Sequence, residues 1–177
     1  MQENLIPVLG QTIVSEQAIQ ERVAALAAQI SRDYEGRPLH LLMVLRGAVP
    51  FLVDLARNLS LDVSFDSLAV TRTADNHVKL IKDLDIPIEG KDVLVVEDIV
   101  NGGNTLHYIL QTLYLRHPRT IKICTMFDRP QKRTTPVILD YIGMKLDDRF
   151  VVGYGLDYKQ LYRNLPEIVE LNFVKNA

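Results

Sequence analysis

Apolar residues Ile19, Val23, Leu26 and Ile30 recur at helical spacing between Ser15 and Arg32, which predicts an amphipathic helix. Ser15 suits its N-cap, and Glu16 suits its positive end. Leu39 to Leu45 is a nearly unbroken apolar run, the pattern of a strand buried on both faces. Arg46-Gly47 ends that run, and Pro50 falls in the first turn of a helix predicted to end near Leu59. Val63 to Val70 mixes apolar and polar residues as a strand does. Thr71 to His77 is polar and reads as a loop, with a short strand following at Val78 to Ile81. Val93 to Val96 is the clearest strand. It leads into Glu97–Thr105, after which Leu106, Ile109, Leu110 and Leu113 mark a helix that must end before Pro118. Ile121–Phe127 and Phe150–Tyr154 complete the predicted strands. This alternation predicts an α/β fold with a mainly parallel sheet. Ligands of such sheets sit beyond the carboxyl ends of the strands, which directs attention to residues 46–47, 97–105, 128–136 and 155–163.

Composition narrows the function classes. The chain has 177 residues, 47% hydrophobic and 24% charged, which excludes a disordered chain or a fibrous repeat and fits one domain over residues 1–177. The single cysteine, Cys124, can form neither an internal disulfide nor a cysteine zinc site, and fits a reducing compartment. No apolar run reaches the ~20 residues of a membrane span, and Met1–Asn4 lacks the basic start of a signal peptide. The expectation is a cytoplasmic protein without a membrane partner. Twenty basic against 22 acidic side chains leave a net charge of −2. That balance argues against a broad basic surface for nucleic acid, so any phosphorylated ligand must be held at a local site.

Residues 93–105 supply such a site. A strand running through Asn101-Gly102-Gly103-Asn104-Thr105 into a helix offers backbone N–H groups to an anion, with the helix dipole adding attraction. Thr105 adds a hydroxyl. Glu97 and Asp98, just upstream, would repel a bare phosphate but suit ribose hydroxyls or magnesium. A ribose 5-phosphate carrying a second, metal-bound phosphate group meets both requirements. From spacing alone, a solvated strand end followed by a turn fits equally well. The Walker lysine is absent, and no Gly-x-Gly-x-x-Gly follows the strand.

Val95-Val-Glu-Asp-Ile-Val-Asn-Gly-Gly-Asn-Thr105 resembles the phosphoribosyl-diphosphate motif of the type I phosphoribosyltransferases. Ile81–Leu94, Phe150–Tyr158 and Tyr162–Pro166 resemble the hypoxanthine-guanine branch of that family. The resemblance implies a twisted, mainly parallel sheet flanked by helices, with a small hood formed by the terminal segments. It also implies transfer of a 5-phosphoribosyl group from phosphoribosyl diphosphate to a purine base, releasing pyrophosphate. By that resemblance Glu97 and Asp98 hold the ribose hydroxyls, directly or around magnesium, and Asn101 to Thr105 cradle the 5-phosphate. Arg46-Gly47 matches the pyrophosphate loop, with Arg46 where the family usually has lysine. Asp157 binds a second magnesium ion, Arg163 holds pyrophosphate, Phe150 stacks on the purine, and backbone near Val151 reads its edge. Taken singly, Phe150 also reads as core, Asp157 as a turn cap and Arg163 as a surface cation. His40, His77, His107 and His117 match no family site. The family's usual assembly is a homodimer or homotetramer, and Ala48–Leu52 reads either as part of such an interface or as core.

Three positions depart from the family pattern. Asn101 stands where the family has an aspartate placed to take a proton from purine N7; loss of a general base typically costs ~10²–10⁴ in rate. Ile138 stands where a lysine is expected to donate to the purine 6-oxygen. Residues 71–77 form a shorter excursion than the family's mobile loop and lack its tyrosine, although Arg72 could reach a phosphate. Two readings follow: a purine phosphoribosyltransferase with low or altered base specificity, and a phosphoribosyl- or nucleotide-binding regulatory protein with little turnover.

Overall fold

The computed structural model describes residues 5–73 and 78–175. Most of the predicted 71–77 loop therefore lies outside the described residues. The elements in order are β1 (Leu5–Val14), α1 (Glu16–Asp33), β2 (Leu39–Leu45), α2 (Val49–Asn58), β3 (Val63–Arg72), β4 (Val78–Lys82), β5 (Asp92–Val100), α3 (Asn104–Tyr114), β6 (Thr120–Asp128), β7 (Tyr141–Lys145), β8 (Val151–Val152) and β9 (Ile168–Lys175).

Six strands form one sheet in the order β4-β3-β2-β5-β6-β7. It is parallel throughout except for the antiparallel edge pair β3/β4. Strand periodicity distributes the core. Leu94 and Val96 of β5 face a layer built by α1 and α2, where Ile19, Val23, Leu26, Ile30, Phe51 and Leu52 are buried. Val93 and Val95 face the opposite layer, formed around Leu106, Ile109 and Leu113 of α3. A strand covered on both faces has no polar side, which is why β2 and β5 read as continuous apolar runs. The α1 N-cap is as expected: the Ser15 hydroxyl accepts the Ala18 N–H at 3.2 Å.

A second, antiparallel sheet of order β1-β9-β8 joins the two ends of the described chain and forms the hood. Strands β1, β7 and β9 are not evident from hydrophobic pattern. Much of β1 and β9 is exposed, and each is held by its partner's backbone rather than by an apolar face. At the sheet edge, β7 contains Gly143. Arg22 of α1 covers that edge, its guanidinium donating to the carbonyls of Gly143 (2.7 Å) and Ile142 (2.6 Å). Predicted boundaries shift at three strands, and the one expected over Phe150–Tyr154 is confined to Val151–Val152, the two residues that pair with β9. β5 continues through Glu97 and Asp98 to Val100, because Glu97, Ile99 and Val100 still pair with β6. β3 runs on to Arg72 because β4 pairs with it as far as that residue.

Candidate active site

The carboxyl ends of β2, β3, β5 and β6 converge under the hood. Beyond β5, Gly103 caps α3 with φ of 93°, a left-handed conformation open to glycine. The Gly102 carbonyl turns toward residues 134–135 and accepts the N–H groups of Thr134 (3.0 Å) and Thr135 (2.9 Å). The Thr135 hydroxyl is also bonded to the Asn104 side chain. The loop is therefore braced from behind while the first N–H groups of α3 have no acceptor within their own helix. A cavity of about 120 Å³ opens against Gly102, Gly103, Thr105 and Glu97. Arg72, at the end of β3, overhangs it and donates to the Thr105 hydroxyl at 3.2 Å.

Glu97 is buried and Asp98 lies beside it. Burial pushes the Glu97 carboxyl well above its ordinary range, and the neighbouring Asp98 pushes it further. Asp98 is raised too, again chiefly by burial, with the Ile99 N–H (2.8 Å) and the charge of Arg163 opposing. Two adjacent carboxyls in this state favour a cation or hydroxyl donors between them and solvent.

The β2–α2 loop interlocks with this pair. A Cβ at Gly47 would overlap the Asp98 carboxylate, and the Gly47 carbonyl packs against Gly155 of the hood. The Leu45–Arg46 peptide is cis. Arg46 reaches across to Gln160, donating to its side-chain oxygen at 3.1 Å. Arg163 donates to the same oxygen at 3.1 Å, to the Gly155 carbonyl at 2.6 Å, and pairs with Asp157 at 2.7 Å. The two candidate anion-binding arginines thus meet at one atom.

A second cavity, about 200 Å³, lies on the other side of Ile99 and Asn101, which line both. Its walls include Asp98, Asp157, Phe150, Val151 and Arg129. The Phe150 ring stays 47% exposed and is held edge-on by Tyr158 and Phe173, with ring centroids 5.9 and 5.8 Å away. Simple core is therefore not its role. Arg129, immediately beyond β6, is buried. It donates to the Arg149 carbonyl at 2.6 Å, while its Nε, also buried, has no hydrogen-bond partner among the described residues.

Of the expected site residues, Arg46, Gly47, Glu97, Asp98, Asn101, Gly102, Gly103, Asn104, Thr105, Phe150, Val151, Asp157 and Arg163 gather at this end of the sheet. Ile138 does not. It is 82% exposed and lines neither cavity. The reason is topological. β6 and β7 are parallel, so the connection must travel back along the sheet, and by Asp140 it is bonded to the backbone of Ile123 near the start of β6. Arg129 at its beginning lines the second cavity and Thr134 and Thr135 brace the glycine loop, after which the connection leaves the carboxyl end. Sequence reading missed Arg129, although its position directly after a predicted strand was a usable signal. It also missed Gln160, which carried none.

The phosphoribosyl transferase domain family matches residues 10–159. The hypoxanthine-guanine phosphoribosyltransferase of Bacillus subtilis is 38% identical over 165 residues, covering 90% of this chain and 92% of that protein. This chain belongs to that family. Its fold follows a family member from Bacillus anthracis, crystallised with a HEPES molecule in the active site, at a TM-score of 0.91 and 39% identity, over 94% of this chain and 99% of the other. The bifunctional TilS/HprT protein of Listeria monocytogenes is also 38% identical, and there the chain spans only 26% of the relative's length. The braced glycine loop, the acidic pair and the arginine pair all lie at the carboxyl end of the main sheet.

Proposed function

We propose that this phosphoribosyltransferase moves the 5-phosphoribosyl group of phosphoribosyl diphosphate onto a 6-oxopurine, hypoxanthine or guanine, in purine salvage. The observation that carries this is the pair of cavities sharing Ile99 and Asn101, one ending on an anion-binding helix start, the other on an aromatic ring and a buried guanidinium. The 5-phosphate would sit on the N–H groups of Gly102 to Thr105, with Arg72 above it. Glu97 and Asp98 would accept from the ribose hydroxyls, and Arg46 and Arg163 would receive the departing pyrophosphate. Phe150 would stack on the base, with the Val151 backbone along its edge. Arg129, whose buried Nε has no partner among the described residues and whose side chain lines this cavity, would provide the donor for a 6-oxo group that was expected from Ile138.

These roles divide the chemistry as the reaction requires. The anomeric carbon becomes cationic while the leaving group carries several negative charges, so the enzyme must stabilise both in a fixed arrangement. Asn101, which lines both cavities, carries an amide that would accept a hydrogen bond from the base but take up no proton. Turnover should therefore be low relative to an aspartate at that position.

Magnesium fits the donor chemistry in a restricted way. No group of three or more metal-ligating side chains exists among the described residues. One or two carboxylates with substrate oxygens is the usual magnesium arrangement; Glu97 and Asp98 would provide the protein share for one ion and Asp157 for a second. When bound, the ion neutralises the pyrophosphate.

The protein is further inferred to act in the cytoplasm as a homodimer or homotetramer. Among the described residues no helix is long and apolar enough to cross a membrane. Ala48, Phe51 and Leu52 are core, but Val49 and Val53 on the same helix are exposed. The decisive experiment measures pyrophosphate release from phosphoribosyl diphosphate and magnesium with hypoxanthine, guanine, xanthine and adenine in turn. Release with the 6-oxopurines is expected. Tight nucleotide binding without release from any base would establish the regulatory-protein reading instead.

A further inference from the structure

We propose that Gln160 is a positioning residue that pre-sets Arg46 and Arg163 as a clamp for a diphosphate, an inference resting on the assignment of those arginines to pyrophosphate. The two guanidiniums come from opposite sides of the cleft, one from the β2–α2 loop and one from the hood. Both donate to a single oxygen of Gln160 at 3.1 Å. Two like charges brought this close repel one another, and a neutral acceptor between them offsets that repulsion without cancelling the positive field.

The hood is built to hold that acceptor in place. The Gln160 N–H donates to Asp157 Oδ2 at 2.8 Å, while Asp157 Oδ1 pairs with Arg163 at 2.7 Å. Lys159, Gln160 and Tyr162 all have left-handed backbone, with φ of 51°, 68° and 75°. Such conformations in non-glycine residues gather where surrounding structure imposes a geometry for function. Arg163 has further anchors in Asp157 and the Gly155 carbonyl, whereas the exposed Arg46 is tethered through Gln160. Pre-ordering a long, rotamer-rich cation lowers the entropy lost when the anion arrives. An arriving diphosphate, with several oxygens at similar spacing, is met by the remaining N–H groups of the two guanidiniums, while Gln160 keeps its two bonds and so holds both arginines in place.

The test compares Gln160→Ala and Gln160→Glu with wild type, reading magnesium pyrophosphate binding by calorimetry and the separate KM values of the two substrates. Gln160→Ala is expected to weaken pyrophosphate binding and raise the KM for phosphoribosyl diphosphate about three- to tenfold, the worth of a modest hydrogen bond. The KM for hypoxanthine should stay unchanged. Gln160→Glu should weaken pyrophosphate binding more, by about tenfold or more, because its carboxylate neutralises the arginines and repels the anion. Unchanged pyrophosphate binding in both variants overturns the proposal, as does an equal rise in both KM values, the mark of a merely structural loop residue. Wild-type protein that binds no pyrophosphate overturns both the clamp and the transfer reaction. Binding that responds to Gln160 as stated, without turnover from any base, supports the clamp and overturns the transfer reaction alone.

Discussion

Asn101 and Arg129 carry opposite lessons about substituted residues. In the proposed reaction, Asn101 would keep the position and shape of a general base without its chemistry. Asn101→Asp is expected to raise kcat on hypoxanthine by roughly tenfold or more, read by steady-state kinetics, with the KM for phosphoribosyl diphosphate little changed. Arg129, in contrast, puts a guanidinium at the wall of the base cavity. Its burial lowers its pKa from the ordinary arginine value, and the charges of Asp147 and Asp148 oppose that shift. Arg129→Met should raise the KM for hypoxanthine by about tenfold, the cost of leaving a 6-oxo group without its donor. The corresponding change at Ile138, to lysine, should leave both KM values unaltered, because that side chain points into solvent away from either cavity.

At the scale of elements, a buried polar group fixes the amino end of β5, opposite the end that carries the cleft. Asp92 opens β5 and is buried, bonded to Arg119 (2.9 Å), Thr120 (2.7 Å) and Arg37 (3.3 Å). These partners, Arg119 foremost, hold its carboxyl below the usual range against the opposing effect of burial. With the folded pKa depressed, the unfolded chain binds more protons as pH falls, so this contribution is present above about pH 4 and is lost below it. Asp92→Asn should lower the neutral-pH Tm by a few degrees and flatten the acid limb of a stability-versus-pH curve, as measured by thermal denaturation. Both arginines are about half exposed, so solvent screening keeps the effect well under that of a dry ion pair. At the opposite end of the sheet, Gly47→Ala would drive a methyl into the Asp98 carboxylate. It should remove most pyrophosphate release while far-ultraviolet circular dichroism stays native, since the displaced groups belong to the cleft and not to the core.

For the molecule as a whole, the cleft is assembled from two sheets, and the acidic pair at its centre works against stability. Glu97 and Asp98 titrate above their ordinary range in the fold, so the folded state holds extra protons there and loses stability as pH rises through that range. Glu97→Gln should therefore raise the neutral-pH Tm, by about 2–4 °C for each kcal/mol relieved, while lowering turnover. Removing magnesium with a chelator should abolish pyrophosphate release and leave the Tm of the substrate-free protein unchanged, because no described cluster of side chains forms a resident metal cage.

How far the sequence reaches can be judged residue by residue. It determined by itself the helices and central strands, since Ile19 to Ile30 and Val93 to Val96 announce their faces through periodicity. Residues 97–105 offered an anion site through local geometry, because a strand, two glycines and a helix start are contiguous in the chain, while their spacing fitted a solvated turn equally well. Tertiary structure alone decided the rest. Strands β1 and β9 exist through pairing across almost the whole chain length, which no local pattern encodes. Arg129 rather than Ile138 meets the second cavity because a parallel crossover must run back along the sheet and has left the carboxyl end before Ile138. Arg46 and Arg163 meet at Gln160 because the hood folds over the sheet, bringing together charges 117 positions apart in the chain. Local geometry is written in neighbouring residues, whereas the cleft depends on long-range packing that closes only when both sheets are in place.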